Sequence, residues 1–248
     1  MTRRREKPAA IRHAEAASFW HDAFVPTSSD AAVRRLKTPR AAALAGVIFA
    51  LLFGTALILI RTRMPEGVGN TTEWLNHQGG GILTATALMP FAGISFLWFI
   101  GVVRDGFGRY EDRFFATVFL GSGLLFLAMM FVATAVAAAL VDSNTRAVGA
   151  GRVEVINFGK MVVLAVSKTY ALRMAAVFMI SLATIWVKTG LMPRWLVGLT
   201  YLVAVTVLFV TDLSMWVTLV FPAWVLVVSG LILVRSDLIE ETRLNHET

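Results

Sequence analysis

The feature that most constrains this chain is a succession of apolar runs, each long enough to cross a lipid bilayer. The first three cover residues 41–60, 81–103 and 114–141. A helix needs about 20 apolar residues to span a hydrocarbon core of about 30 Å, because each residue advances it by about 1.5 Å. Backbone amides in that core must be hydrogen-bonded within the chain, which favours helices. The pattern predicts an all-α fold, a polytopic transmembrane helix bundle.

Two further apolar regions bring the predicted number of spans to about six. Residues 196–234 are enough for two crossings, with a break expected at the polar residues 211–214. The region from residue 154 onward is too long for one simple crossing. We expect residues 154–167 to form an interfacial or re-entrant segment and residues 168–187 to form the fourth span. The alternative is one long tilted helix that projects beyond the membrane.

Small residues on the first span predict a close contact with another helix. Gly46, Ala50 and Gly54 recur every four residues and therefore form a ridge along one side of the helix. Such ridges let two helix backbones approach each other in a membrane. The ridge is a packing signal and predicts no chemistry.

Charged residues predict the boundaries and the orientation of the bundle. Residues 1–40 form a basic N-terminal segment, residues 41–234 the transmembrane domain, and residues 235–248 a polar tail. Basic residues near the spans are more frequent in 34–40 and 104–113 than in the loops on the opposite side, and such residues favour the cytoplasm. We therefore expect both termini to be cytoplasmic. The richness in Ala, Val and Arg indicates a bacterial inner membrane.

Composition excludes several classes of function. The 248-residue chain is 57% hydrophobic, unlike an ordinary soluble domain. It has no cysteine, which excludes disulfides, iron–sulfur clusters and thiolate sites. Its four histidines lie outside the apolar runs, so a transmembrane haem held by two histidines is excluded, and neither a metal nor another cofactor is predicted. The net charge of +7 fits a membrane-proximal basic segment and does not by itself indicate nucleic acid.

The candidate site lies in the fourth span, where cations occur well inside an apolar region. On an ideal helix with Arg173 at 0°, the other polar side chains project roughly as follows: Thr169 near −40°, Thr184 near +20°, Tyr170 near +60° and Ser181 near +80°. A stripe of this kind favours a face turned toward other helices or a wet cavity. An anion or a lipid headgroup is the ligand that a guanidinium there would bind. In the alternative interpretation, Arg173 extends to the headgroups for structural reasons only.

Two carboxylates are candidates for an ion pair with Arg173. Asp142 ends the third span on the outer side, and Asp212 lies at the outer turn between the fifth and sixth spans. A charge at mid-bilayer depth costs at least about 2.5–3.5 kcal/mol, which favours a partner. We expect Asp212 to be that partner because its turn is short and its position constrained.

The C-terminal third carries two short motifs, PRWL at 193–196 and FPAW at 221–224. In this region the chain resembles uncharacterised bacterial six-span integral membrane proteins, in which a Pro-Arg-Trp-Leu turn opens a hairpin that ends in a Phe-Pro-x-Trp helix. The resemblance implies a six-span fold and a membrane location, and it carries over no active site.

Three classes of function are considered for a membrane protein of this kind: an enzyme, a transporter or channel, and a non-catalytic subunit. The loops offer no nucleophile–base pair or metal cluster, which disfavours a membrane enzyme. The spans hold no deep carboxylate, which disfavours cation or proton coupling. We expect a non-catalytic subunit or accessory protein of a membrane complex, whose partners are the lipid bilayer and either another membrane protein or a second copy of the chain. The alternative is a small transporter or channel with an anion or lipid-headgroup site at Arg173.

Overall fold

The structure is a computed structural model, and it describes residues 28–64, 73–105, 113–146, 151–190, 192–210 and 215–247. Two units are distinguished, Met1–Thr38 and Pro39–Thr248. In the first unit, the described residues 28–38 are helical. The predicted N-terminal segment up to residue 27 lies outside the described residues, and so does Asp212.

The described part of the chain is almost entirely helical. The helices are α1 (Ser28–Arg63), α2 (Glu73–Asp105), α3 (Arg113–Arg146), α4 (Arg152–Leu164), α5 (Leu172–Thr189), α6 (Arg194–Val210) and α7 (Val220–Glu247). A π-helical segment, Ala165–Ala171, joins α4 to α5, and a 3-10 turn, Met215–Leu219, precedes α7. The predicted all-α bundle is confirmed.

Among the described residues, five helices are long and apolar enough to cross a membrane. They cover Arg40–Arg63, Gly79–Asp105, Phe114–Ser143, Arg152–Thr189 and Trp216–Val234. A sixth, Arg194–Phe209, is apolar but shorter. The lengths meet the requirement of about 20 residues for a crossing, with the sixth helix near its lower limit. The chain is therefore a membrane protein with several spans.

Residues 154–167 form part of one long helix, which was the alternative prediction for this region, and not a separate interfacial or re-entrant segment. This part belongs to one uninterrupted helical run, Arg152–Thr189, which holds 38 residues and is about 57 Å long at about 1.5 Å per residue. The reason is burial against neighbouring helices. Lys160 is only 6% exposed, and Gly159 packs so closely on Leu140 of α3 that a Cβ there would overlap its side chain.

Phenylalanine rings fill the centre of the bundle. Five helices, α1, α2, α3, α5 and α7, each contribute at least one ring. These include Phe49, Phe96, Phe126, Phe178 and Phe221, all at most 1% exposed. Ring centroids lie 4.6 Å apart for Phe49 and Phe96, 5.4 Å for Phe96 and Phe178, and 4.7 Å for Phe126 and Phe221. These separations are those of favourable aromatic pairs. The rings therefore hold five helices together in one close-packed layer.

Contacts between helices distinguish the two ends of the bundle. At one end, Arg61 Nη2 donates to Ser167 Oγ over 3.1 Å, and a Cβ on Gly81 would lie 3.1 Å from Arg63 Cγ. The end of α1, the start of α2 and the π segment thus meet there. At the other end, Lys188 Nζ lies 4.5 Å from the ring centroid of Phe115, near the start of α3. We call these the Arg61 end and the Lys188 end.

Helices α6 and α7 approach the Arg61 end less closely than α4 does. Leu172 and Ala176, at the start of α5, cluster with Val207 near the end of α6, and Val217 of the 3-10 turn packs against them. The π segment and α4 precede this level with 7 and 13 residues, a length of about 30 Å along the helix. The long helix therefore extends well beyond the described ends of α6 and of the 3-10 turn.

Candidate functional site

The candidate site spans the junction between the π segment and α5. In a π-helix the backbone hydrogen bonds join residues i and i+5, so each residue turns through a smaller angle than the roughly 100° of an α-helix. Thr169 and Tyr170 lie inside this segment, whereas Arg173 lies just after it. The ideal-helix projection therefore does not apply across these residues. Short π segments inside α-helices are frequent at functional sites.

Three of the predicted site residues lie together toward the surface of the bundle. Thr169 and Arg173 are half-buried, and Tyr170 is 57% exposed. Ser167, two residues before Thr169, is bonded to Arg61. The three residues therefore lie near the Arg61 end, on the side of the helix that faces away from the core. A tyrosine in such a position is typical of the interface between hydrocarbon and water.

Ser181 and Thr184 occupy a different environment. Ser181 is 3% exposed, and its hydroxyl donates to the carbonyl oxygen of Val177 over 2.8 Å. Thr184 Oγ1 donates to the carbonyl oxygen of Ile180 over 2.8 Å and lies 2.7 Å from the hydroxyl of Tyr201 on α6. The second contact joins α5 to α6. The predicted stripe is thus divided into a surface group and an interhelical group.

The carboxylate candidates for Arg173 are only partly described. Asp142 is exposed near the end of α3, and Asp212 lies outside the described residues. Val207 and Val217, on either side of the segment that holds Asp212, pack at the level of Leu172. The predicted pair of Arg173 with Asp212 therefore stays a prediction.

Two buried cations at the Arg61 end were not among the predicted site residues. Arg61 is 4% exposed and Lys160 is 6% exposed. Ser167 Oγ accepts the bond from Arg61 and donates to the carbonyl oxygen of Val163 over 2.6 Å. Lys160, Val163 and Ser167 are spaced by three and four residues and so share one helix face. That spacing was the signal that would have identified an inward-facing lysine.

Comparison of the chain with protein family models, curated proteins and solved structures finds no match. Within the described ranges, no three His, Cys, Asp or Glu side chains are placed to hold a metal ion. The fold and the site therefore define the class: a multi-pass helical membrane protein with a basic, hydroxyl-bearing surface near one end of its bundle.

Proposed function

We propose that the chain is a non-catalytic subunit or accessory protein of a membrane complex. The observation that carries this proposal is the layer of phenylalanine rings at the centre of the bundle. A pore or a substrate path through the middle needs polar lining or a water-filled cavity. The rings of Phe49, Phe96, Phe126, Phe178 and Phe221 occupy that position and are buried. The layer supports a structural role for the bundle.

An exposed apolar face on α4 also supports a role in assembly. Val155, Phe158 and Met161 are 59%, 70% and 62% exposed. They follow each other every three residues on the side of α4 opposite the buried Lys160. The face belongs to the part of the long helix that extends beyond the described ends of α6 and of the 3-10 turn. Large exposed apolar surfaces of this kind serve contact with lipid or with another protein.

The membrane and the orientation belong to the same proposal. We place the chain in a bacterial inner membrane with both termini in the cytoplasm and the Arg61 end on the outer side. Basic residues support this orientation, since 34–40 and 104–113 are richer in arginine and lysine than the loops that follow α1 and α3. The Ala-, Val- and Arg-rich composition supports a bacterial source.

The test is the size of the particle that contains the chain. The full-length protein is extracted from its native membranes in mild detergent and compared by native gel and mass spectrometry with the same chain expressed alone in a foreign host. A subunit is expected to migrate in a larger particle of fixed stoichiometry only from its native membranes. Migration as the same lone chain or homo-oligomer from both sources would contradict a role in a complex with other proteins.

A small transporter or channel with an anion or lipid-headgroup site is the second candidate. The half-buried Arg173 beside Thr169 and the exposed Tyr170 favours it, because this group combines a fixed cation with hydroxyl donors. Anion flux is measured in liposomes that contain the purified chain. A flux abolished by Arg173→Gln and retained in Arg194→Gln would support transport over the subunit role. An anion flux no larger than that of protein-free liposomes would exclude a transport function.

A further inference from the structure

The π segment changes which side chains share a face with Arg173. In an uninterrupted α-helix, Lys168 would project about 140° away from Arg173 and Thr169 about 40° away. Because each residue of Ala165–Ala171 turns through a smaller angle, both separations decrease. Thr169 moves into line with Arg173, and Lys168 moves toward the same side. Two cations and a hydroxyl thus come within about one helical turn of one another.

Burial agrees with this rotation. Ser167 and Ala171 are 4% and 0% exposed and define the inward side of the π segment. Lys168, Thr169 and Arg173 are all half-buried, as expected for side chains that flank the outward side. They are therefore accessible from the surface of the bundle while their stems pack against it.

The position of these residues along the bundle is fixed from two directions. Ser167 accepts a hydrogen bond from Arg61, which ends the apolar run of α1. Counted from Lys188 at the other end of the same helix, Lys168 lies 20 residues away, or about 30 Å, which is the thickness of a hydrocarbon core. From both measures we infer that Lys168 lies at the boundary between hydrocarbon and headgroups. Arg173 lies about one turn deeper.

Lys168 lies beyond the level at which the described residues of α6 and the 3-10 turn pack against the longer helix. Leu172 packs against Val207 of α6 and Val217 of the 3-10 turn. Lys168 precedes Leu172 by about one turn toward the Arg61 end. The two cations thus lie on the side of the longer helix next to this contact.

We propose that Lys168, Thr169 and Arg173 bind a phosphate group, supplied by the headgroup of an anionic phospholipid on this side of the helix. A phosphodiester carries oxygens that accept charge-assisted hydrogen bonds from an ammonium and a guanidinium at once. The hydroxyl of Thr169 adds a donor, and Tyr170, 57% exposed, lies where tyrosine contacts the headgroup region. The inference deepens the headgroup site of the second candidate function and specifies its ligand.

The test uses the full-length protein in nanodiscs of phosphatidylcholine mixed with phosphatidylglycerol. Native mass spectrometry counts the phosphatidylglycerol molecules that stay bound after release from the disc. Lys168→Gln with Arg173→Gln is expected to lower that retention about tenfold or more, since two charge-assisted hydrogen bonds are lost. The matched control is Arg104→Gln with Arg194→Gln, which removes two exposed cations from the Lys188 end. Equal retention in both double variants overturns the lipid assignment.

A second arm separates lipid from free phosphate. The protein is placed in phosphatidylcholine discs alone, and inorganic phosphate is added against sodium chloride of the same ionic strength while Tm is recorded. A rise in Tm that disappears in Lys168→Gln with Arg173→Gln would show that these residues bind soluble phosphate and would overturn the assignment to a lipid headgroup. If neither phosphate nor phosphatidylglycerol distinguishes the site variant from the control, the proposal fails. These readouts involve no protein partner, so particle size in native membranes tests the subunit role separately.

Discussion

At the scale of single residues, two buried serines of the long helix, Ser167 and Ser181, use their hydroxyls differently. Ser181 donates to the carbonyl oxygen four residues earlier in its own helix, at 2.8 Å. Ser167 makes the same kind of bond, at 2.6 Å, and also accepts from Arg61 of a different helix. Only the second arrangement joins two helices. It also supplies an acceptor for a guanidinium that is 4% exposed.

This difference predicts unequal effects of two alanine substitutions in one helix. Ser167→Ala should lower stability by about 1–2 kcal/mol, because it removes an acceptor from a buried charged donor. Ser181→Ala is the matched control, equally buried, and should change stability by less than about 0.5 kcal/mol, since its carbonyl partner keeps its backbone bond. Thermal unfolding in detergent measures both. Equal losses would show that the Arg61–Ser167 bond adds nothing to stability.

At the scale of helices, the small-residue ridge of α1 is used at one end only. Gly46 lies directly against Ser229 of α7 and Phe99 of α2, where a Cβ would overlap the serine hydroxyl. A Cβ on Gly54 would have no heavy atom within 4 Å among those compared. The predicted close approach of helices is therefore found at Gly46, whereas Gly54 plays no part in it.

The ridge gives a matched pair of substitutions. Gly46→Ala should destabilise the protein by about 1–3 kcal/mol, because overpacking forces α1 and α7 apart. Gly54→Ala adds the same methyl group in open space and should be neutral or stabilise by up to about 1 kcal/mol through helix propensity.

A rescue variant checks the cause. Ser229 Oγ is buried and makes no hydrogen bond with the described residues, so Ser229→Ala should restore part of the stability lost in Gly46→Ala. The Tm values of the three single variants and of the double variant Gly46→Ala with Ser229→Ala test this cause. A larger loss in Gly54→Ala than in Gly46→Ala would show that the packing of α1 differs from this arrangement.

The sequence predicted the apolar helices well and the fourth one poorly. Hydropathy alone placed the first span at 41–60, and the structure has Arg40–Arg63. It could not reveal that Lys160 is buried, because the burial comes from α3 and α1, which are distant in sequence. The interfacial segment was predicted only because the apolar region is too long for one simple crossing. The π segment leaves no mark in the hydropathy pattern, which is why the projected stripe joined Ser181 to Tyr170 although the structure separates them.

At the scale of the whole molecule, the even number of predicted spans determines where the loops face. Six crossings return the chain to its starting side, whereas five would leave its ends on opposite sides. The structure provides five long apolar helices and the shorter Arg194–Phe209. The side of the membrane on which the C-terminal tail lies thus depends on whether this short helix crosses.

Cysteine labelling tests the topology, and the chain is suited to it because it has no cysteine of its own. Asn70→Cys and Val148→Cys should react with a membrane-impermeant maleimide in intact cells. Gly108→Cys should react only after the membrane is opened. A cysteine in the C-terminal tail, Asn245→Cys, should behave like Gly108→Cys if α6 crosses. Reaction of Gly108→Cys in intact cells would show that the proposed orientation is reversed. Reaction of Asn245→Cys in intact cells, with Gly108→Cys unreactive, would show five crossings.

The unequal lengths of neighbouring helices also shape the surroundings of the protein. Helix α6 has 17 residues and the span Trp216–Val234 has 19, whereas α3 and the long helix beside α6 provide spans of 30 and 38 residues. Lipid adapts its thickness to the apolar length it meets, at a cost of fractions of a kcal/mol per Å. We therefore expect the bilayer to be thinner beside α6 and α7 than beside α3. Membrane proteins with short spans are then expected to gather on the thin side and those with long spans beside α3, before any side chain touches.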